Sequence, residues 1–393
     1  MSARVETGFL ALLDAVVPVV ARDMGFAAEE GVDLVLRREP SWSNVRDKVA
    51  IGLYPCAQML APMPLAMTLG AGAMRAEVIA PMVLATGGGT VGVSAALDEA
   101  LGRPAWGDAL GAGRALLGRG AERPVGFGVP FPHSMHHELV RYWLRACGGR
   151  AGADQAVVFQ TVPPPLMAEA LAAGQIDAFC VGEPWGSVAV ERGQARLVMP
   201  TAAIWAWAPE KVLGVRRDWA EAEPGTLARL MRALHRAGLW VARAENAASA
   251  AEMLESATEG AVPALIAERS LSGTLTVDPA GSVRRVERFL GVGDVETMFP
   301  WRSQALWIAE QVAHRWGVLP HAARTAALAC FRPDLYRAAL EPLGVDLPGA
   351  SAKLEGALAE RTGVASAQGA LSLGPDRFFD GRTFDPRPYL PIS

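Results

Sequence analysis

The stretch that decides the fold is VETGFLALLDAVVPVVARDMGFAAEEGVDLVLRRE, residues 5–39. It predicts a short strand, a turn, a helix that ends near Gly31 and an alternating strand over residues 32–36. This order is typical of a βαβ unit, in which two parallel strands are joined by a right-handed crossover. We therefore expect an α/β protein that contains parallel strands.

The same alternation continues further along the chain. RPVGFGVPF (123–131) and QAVVFQTVPP (155–164) predict two strands. SMHHELVRYWLRACGG (134–149) predicts the helix between them, with Ser134 as its N-cap and Gly148 as its stop. These segments predict a second α/β region.

A third apolar segment leads to a candidate binding position. Residues 178–181 predict a buried strand that ends at Gly182, and ligands of open α/β sheets bind beyond such strand ends. From Pro224 the pattern changes to alanine-rich amphipathic helices. The proline-rich, aromatic tail (residues 375–393) is expected to pack along a surface. The chain thus combines α/β regions with a helical C-terminal part.

Composition and charge exclude several classes of protein. The 393 residues are 51% hydrophobic and 20% charged, which is typical of a folded protein too long for one core. The net charge is −4 and the basic residues are scattered, which argues against direct nucleic-acid binding. The cysteines show no CxxC spacing, so the pattern favours reduced thiols in the cytoplasm: Cys56, Cys147, Cys180 and Cys330.

The apolar segment FLALLDAVVPVVA (9–21) resembles the centre of a secretion signal. However, Asp14 and Pro18 interrupt it and Glu6 precedes it, so we interpret it as folded chain. The other long apolar stretch, residues 77–97, is broken by Pro81 and a glycine run, which argues against a membrane span. We expect a soluble protein that is not exported.

The motif DAFCVGEPWG (177–186) allows several interpretations. Cys180 is a candidate nucleophile, but it lies in an apolar strand without a nearby histidine, which favours an inert core thiol. Gly182 either forms an ordinary turn or offers its N–H group to a ligand that approaches the backbone closely.

Other candidate side chains are less specific when taken singly. His133, His136 and His137 allow a metal pair, but a helix N-terminus at this position favours an anion instead. Trp42 is either a core residue or an N–H donor to a ligand. A lone lysine such as Lys211 is usually a solvated surface charge.

Several blocks in one order over nearly the whole chain carry a family resemblance. These include PSWSNVRDK (40–48), PMPLAM (62–67), VPPPLM (162–167), DAFCVGEPW (177–185) and PEK (209–211). They resemble the nitrate- and bicarbonate-binding solute receptors of ABC transporters. The resemblance implies a fold like type II periplasmic binding proteins, with lobe I over residues 1–112 and 216–393 and lobe II over 113–215.

The resemblance also implies a ligand site without a cofactor or a metal. Trp42, His136, Gly182 and Lys211 match family positions that surround the ion, and all four offer donors to an anion that carries no proton. In bicarbonate receptors an acidic residue stands at the lysine position and recruits calcium, so Lys211 argues against bicarbonate. Trp42 is expected on lobe I, and the other three residues on lobe II.

One departure from the family pattern concerns an amide side chain. Gly89, in TGGGTV (86–91), occupies the position of that amide, so Thr90, a water molecule or the glycine N–H group must replace its donor. This departure leaves the preference between nitrate and nitrite open.

The missing export signal suggests a particular branch of the family. The chain resembles cytoplasmic nitrate/nitrite sensors that hold an RNA-binding antitermination regulator of nitrate assimilation and release it when the anion binds. The alternatives are the substrate-binding component of an ABC transporter for nitrate, nitrite or bicarbonate and, less favoured, an enzyme on the same fold. We expect no enzymatic activity.

Overall fold

The structure is a computed structural model that describes residues 2–72 and 74–390. Its strands follow the chain in this order: β1 (Ala3–Phe9), β2 (Val32–Arg38), β3 (Cys56–Leu60), β4 (Val78–Gly87), β5 (Gly89–Val93), β6 (Val125–Val129), β7 (Val157–Thr161), β8 (Ala178–Gly182), β9 (Arg196–Pro200), β10 (Pro209–Arg216), β11 (Thr274–Thr276), β12 (Val283–Arg285), β13 (Leu290–Gly291), β14 (Thr362–Gly363) and β15 (Ser372–Leu373).

The α-helices pack around these strands. They are α1 (Val16–Asp23), α2 (Phe26–Glu29), α3 (Trp42–Ala50), α4 (Met63–Leu69), α5 (Ala95–Ala100), α6 (Ala109–Glu122), α7 (Met135–Ala156), α8 (Met167–Ala172), α9 (Trp185–Glu191), α10 (Arg217–Ala222), α11 (Pro224–Val241), α12 (Ala247–Ala257), α13 (Ala264–Leu271), α14 (Val295–Met298), α15 (Arg302–Val312), α16 (Pro320–Cys330) and α17 (Pro333–Leu340).

Two mixed sheets form the centres of two lobes. The sheet of lobe I has six strands in the order β13-β4-β10-β3-β1-β2, and the sheet of lobe II has five in the order β7-β6-β8-β5-β9. The β11–β12 and β14–β15 pairs are separate. Parallel and antiparallel pairs occur in both large sheets. The predicted two-lobed α/β fold is therefore confirmed.

The opening βαβ unit forms as predicted. β1 pairs in parallel with β2 along its whole length, from Ala3 opposite Val32 to Phe9 opposite Arg38. Residues 9–21, which resemble a secretion signal in sequence, are buried between the sheet and neighbouring helices. The segment is thus part of the core of lobe I.

The chain passes between the lobes at two places that differ from the predicted boundaries. β4 of lobe I ends at Gly87 and β5 of lobe II begins at Gly89. The predicted boundary at residue 112 falls inside α6 instead. The chain has returned to lobe I at Pro209, because β10 pairs with β3 and β4. The glycine run allows the first passage, since Gly87 and Gly88 have φ angles of 66° and 75°.

The helical C-terminal part and its tail also agree with the prediction. Helices predominate from α11 onward, and the tail contacts both α7 of lobe II and α15 of the helical part. Phe378 stacks on Trp205, and Tyr142 of α7 donates a hydrogen bond to Asp380. Residues 391–393 of the predicted tail lie outside the described residues. Among the described helices, none combines the length and the apolar character that a membrane span requires.

Candidate functional site

Four side chains or backbone groups singled out in the sequence come together between the two lobes. The Lys211 ammonium lies 5.6 Å from the centroid of the Trp42 ring. A Cβ atom at Gly182 would lie 3.7 Å from His136 Nε2 and 3.9 Å from Asp14 Oδ2. Lys211 Nζ lies 2.8 Å from the same Asp14 oxygen. The four positions therefore surround one buried point.

Capped helix N-termini position the two aromatic side chains of the site. The Ser41 side chain accepts a hydrogen bond from the Asn44 N–H group and caps α3, which begins at Trp42. Ser134 caps α7 in the same way through the His137 N–H group, as predicted, and His136 lies in the first turn. Each cap fixes where its helix begins, and so places Trp42 and His136 in the first turn.

The two lobes share the site in a different way from the prediction. Lys211 lies on β10 opposite Leu60 of β3, which places it in lobe I beside Trp42. His136 and Gly182 lie in lobe II. The expected position of Lys211 in lobe II was wrong, because the chain returns to lobe I two residues before this lysine.

The backbone geometry at Gly182 leaves its N–H group pointing away from β5. Glu183 donates its N–H group to Gly88 O, which is the bond expected next to a non-hydrogen-bonded pair of an antiparallel ladder. The adjacent pair, Gly182 and Gly89, is consequently of the non-hydrogen-bonded type, whose N–H groups point outward. The pairing of β8 with β6 extends only to Phe179. Gly182 therefore offers a donor at the end of its strand.

Gly89 lies beside Gly182, but Thr201 already occupies the space that a side chain at position 89 would need. A Cβ atom at Gly89 would approach Thr201 Cγ2 to 2.9 Å. The Thr90 hydroxyl donates to Glu183 Oε1 at 2.9 Å and is thus occupied. The Gly89 N–H group points away from β8 in this pair, so a water molecule remains of the substitutes suggested for the family amide.

Two buried carboxylates that were not predicted as site residues also belong to the cluster. Lys211 Nζ contacts Asp14 Oδ2 at 2.8 Å and Glu210 Oε1 at 3.1 Å. Gln58 donates its amide to Asp14 Oδ1 at 2.7 Å. In the sequence Asp14 was noticed only as an interruption of an apolar run. A charged residue inside such a run was the signal that could have pointed to this role.

Burial and the charges of neighbouring residues shift the pKa values of the residues in this cluster. Burial raises the pKa of Asp14 and of Glu210, although Lys211 opposes the shift. Burial alone would lower the pKa of Lys211, but the two carboxylates outweigh it and raise the pKa. Burial and the Lys211 charge lower the pKa of His136 well below its usual value. Lys211 is therefore charged and His136 is neutral near pH 7.

Two aromatic side chains at this point have unused polar atoms. Trp42 and His136 are each only 1% exposed. Neither Trp42 Nε1 nor either ring nitrogen of His136 makes a hydrogen bond within the described part of the chain. His136 Nδ1 does lie 3.1 Å from Glu210 Oε1. Because buried polar atoms are normally paired, these atoms indicate a place for a small ligand that accepts hydrogen bonds.

The surroundings of the remaining candidate residues indicate structural roles. The His133 ring packs edge-on against Trp316, and His137 Nδ1 lies 3.0 Å from Pro132 O. Cys180 is buried, and burial raises its pKa well above the usual value, which disfavours the reactive thiolate. Among the described residues, His, Cys, Asp and Glu side chains do not form any group of three or more that could hold a metal ion.

The two lobes, with a mixed sheet at the centre of each, give the chain the fold of periplasmic binding proteins. The chain belongs to the NMT1-like family, whose model matches residues 2–255. The fold is also that of the periplasmic nitrate-binding protein NrtA from Synechocystis PCC 6803. That crystal structure matches with a TM-score of 0.84 and 24% identity, over 99% of this chain and 97% of that chain.

Two relatives have names that refer to nitrate or nitrite. The chain is 33% identical over 346 residues to the nitrate import ATP-binding protein NrtC of Synechocystis sp., a match that covers 86% of this chain. It spans only 50% of that relative's length. It is 28% identical over 397 residues to the nitrate/nitrite binding protein NrtA of Synechococcus elongatus, which covers 97% of this chain and 83% of the relative.

Proposed function

We propose that the protein binds nitrate or nitrite between its lobes through Trp42, His136, Gly182 and Lys211. The observation that carries the proposal is the pair of buried nitrogens without a hydrogen-bond partner, Trp42 Nε1 and His136 Nε2, beside the Lys211 ammonium. Nitrate and nitrite carry negative charge and only accept hydrogen bonds, so they match the indole, ammonium and backbone donors. The names of the NrtA relatives support the same ligands.

Binding would hold the two lobes together. Trp42 and Lys211 belong to lobe I, whereas His136 and Gly182 belong to lobe II. An anion that contacts both pairs stabilises the closed form relative to an open one. A partner that prefers the open form would then be released, with a coupling free energy of about 1 to 3 kcal/mol.

We further propose that this protein is a cytoplasmic sensor and that the partner is an RNA-binding antitermination regulator of nitrate assimilation. The sequence blocks that resemble such sensors support the proposal. So does the burial of residues 9–21 in the core of lobe I, which gives this apolar segment a structural role. Cys56, Cys180 and Cys330 are buried free thiols, as is usual for proteins of a reducing compartment.

The second candidate is the substrate-binding component of an ABC transporter. The relatives NrtC and NrtA favour it, because their names refer to nitrate import and nitrate/nitrite binding. Bicarbonate needs an acceptor for its hydroxyl, and Asp14 and Glu210 are acceptors near the site. Bicarbonate is therefore the ligand whose binding should be compared with that of nitrate. We propose that the protein is not an enzyme in either role; the names of its relatives refer to binding and import, and burial disfavours the reactive thiolate of Cys180.

Calorimetric titration of the dialysed protein with nitrate, nitrite and bicarbonate, with and without calcium, tests the ligand. We expect micromolar binding of nitrate or nitrite that does not need calcium. Calcium-dependent binding of bicarbonate alone would contradict the proposal. Lys211→Met should weaken nitrate binding. Lys211→Arg, which keeps the positive charge, is its matched control.

The sensor role needs a separate experiment. The tagged protein is incubated with the antitermination regulator of nitrate assimilation from the same organism, first without and then with nitrate or nitrite. We expect a complex that dissociates when the anion is added. Failure to form this complex, together with capture of a nitrate transporter's membrane subunits, would favour the transport role.

A further inference from the structure

The charges around Lys211 do not match those expected for an anion site. One ammonium group faces two carboxylates, Asp14 and Glu210, at 2.8 and 3.1 Å. All three side chains are at most 3% exposed. If both carboxylates are ionised, the cluster carries a net negative charge before any anion binds. An uncompensated charge of this kind is costly in a buried site, and a bound anion would add to it.

The geometry offers one place where a proton would relieve this excess. His136 Nδ1 and Glu210 Oε1 lie 3.1 Å apart without a hydrogen bond between them, so a proton taken up by either group would join them. Asp14 is less suited to hold it, because Gln58 donates to one of its oxygens and Lys211 contacts the other. Glu210 has no second donor of this kind among the described residues.

We propose that the site binds the anion together with a proton, and that Glu210 and His136 hold this proton between them. The inference rests on the proposed function, because it concerns the same anion site. Glu210 and Asp14 thereby become specificity residues, since their negative charge limits the site to singly charged anions. Sulfate, whose shape offers similar acceptors, would bring a second negative charge that one proton does not balance.

The groups that face the pair come from every element around the site. They are Asp14 from residues 13–15, Lys211 from β10 and Cys180 from β8, while the uncharged Gln58 of β3 contacts Asp14 and Trp42 of α3 lies beside Lys211. Lys211 is the cation among them and already neutralises one carboxylate. Burial raises the pKa of Glu210, so the carboxyl group accepts a proton more easily than it would in water. A bound anion strengthens this tendency by Coulomb repulsion.

The direction of the pH dependence follows from linkage. The complex holds more protons than the free protein, so anion affinity falls as the pH rises above the pKa of the free pair. The fall is at most tenfold per pH unit, because one proton accompanies each anion. Below that pKa the pair is already protonated and the affinity becomes independent of pH.

The test is nitrate titration of the full chain in PIPES and in Tris at the same pH and ionic strength. These buffers differ in ionisation enthalpy, so the difference between the observed heats reports the protons taken up. The titrations span about pH 6 to about pH 9, between the ordinary pKa values of histidine and lysine. We expect uptake of between zero and one proton, which increases as the pH rises above the pKa of the free pair. Heats that are equal in both buffers, with affinity constant over this range, would overturn the inference while leaving the proposed function intact. Failure of nitrate and nitrite to bind in any buffer would overturn both.

Glu210→Gln is the diagnostic variant, because it removes the charge and keeps the shape. We expect it to abolish the buffer dependence and to flatten the pH profile of affinity. Glu183→Gln is the matched control, since Glu183 is a buried carboxylate next to Gly182 whose oxygens bind Thr90 and Ser187. It should retain proton uptake. Undiminished uptake by folded Glu210→Gln would assign the proton to another group and overturn the role of Glu210. If this variant does not fold, the proton uptake measured with the wild-type protein alone tests the inference.

Discussion

Two regions of the molecule each contain a lysine, fully or largely buried, between two carboxylates. In the site between the lobes, Lys211 contacts Asp14 and Glu210. In the C-terminal part, Lys353 contacts Glu355 at 2.6 Å and also Asp376. The two clusters have the same ionic composition, and the carboxylates of both are almost completely buried. They differ in what surrounds them.

The C-terminal cluster is completed by hydrogen bonds from its own neighbourhood. Ser303 donates its hydroxyl to Glu355 at 2.6 Å, and Leu358 donates its N–H group to Asp376 at 2.9 Å. These contacts join the helical part to the tail. All the ionic groups have partners that the chain itself supplies, which is the arrangement of a structural cluster.

The cluster between the lobes is accompanied by donors that the chain does not use. Trp42 Nε1 and the His136 ring nitrogens lack hydrogen bonds within the described residues, although they are buried beside Lys211. The comparison shows that a buried ion pair does not by itself mark a ligand site. The unpaired donors next to it carry that information, because burying them without a partner costs free energy.

The variant with the largest expected effect on the free energy of unfolding breaks the C-terminal cluster. Lys353→Ala would leave Glu355 and Asp376 buried without their cation, and we expect it to lower the free energy of unfolding by about 3 to 5 kcal/mol. Urea unfolding measures the change. Arg4→Ala, which removes an exposed partner of Glu6 in a surface pair, should cost much less. Equal losses in the two variants would show that the C-terminal cluster is no more important than a surface pair.

The second prediction removes the cation of the other cluster. Lys211→Met eliminates a charge-assisted hydrogen bond to the anion, worth about 1.5 to 3 kcal/mol, so the Kd for nitrate should rise about 10- to 100-fold. Calorimetric titration provides the measurement, with folded Lys353→Ala as the comparison that should retain the wild-type Kd. A folded Lys211→Met protein with wild-type affinity would place the anion elsewhere.

The third prediction fills the space beside the Gly182 backbone. The methyl group of Gly182→Ala would meet no atom nearer than Leu12 Cδ2 at 3.3 Å, so the fold should accept it. It would nevertheless occupy room near His136 that the anion needs, and we expect the Kd to rise about tenfold, equivalent to about 1.4 kcal/mol. Gly92→Ala is the opposite case, because its methyl group would clash with the Phe179 ring at 2.3 Å. It should reduce stability, and a stability loss of equal size in Gly182→Ala would contradict the prediction.

The smallest effect concerns a single N–H group. Trp42→Phe removes an unpartnered indole donor, so the Kd should rise about 5- to 10-fold, which corresponds to about 1 kcal/mol, while stability is retained. Trp143→Phe removes an indole N–H that is bonded to Ala109 O at 2.6 Å, and should cost stability without changing the Kd. Thermal unfolding and titration of both variants separate the two roles. A stability loss in Trp42→Phe with unchanged Kd would make Trp42 a structural residue.

Local sequence patterns were sufficient to predict the elements that position the site. The βαβ unit, the Ser134 cap of α7 and the strand that ends at Gly182 all formed as expected, because each depends on the spacing of apolar, capping and glycine residues within one segment. The lobe of Lys211 could not be obtained in this way. It depends on which sheet accepts β10 after the chain has passed through the other lobe.

The sequence by itself determined the α/β fold class, the family resemblance and the residues that offer donors to an anion. Only the tertiary structure decided that Asp14 and Glu210 share Lys211, and that Trp42 and His136 are left with unused nitrogens. The physical reason is that secondary structure follows from the order of nearby residues. Charge balance and hydrogen-bond satisfaction at a buried point depend on side chains that come from distant segments of two lobes.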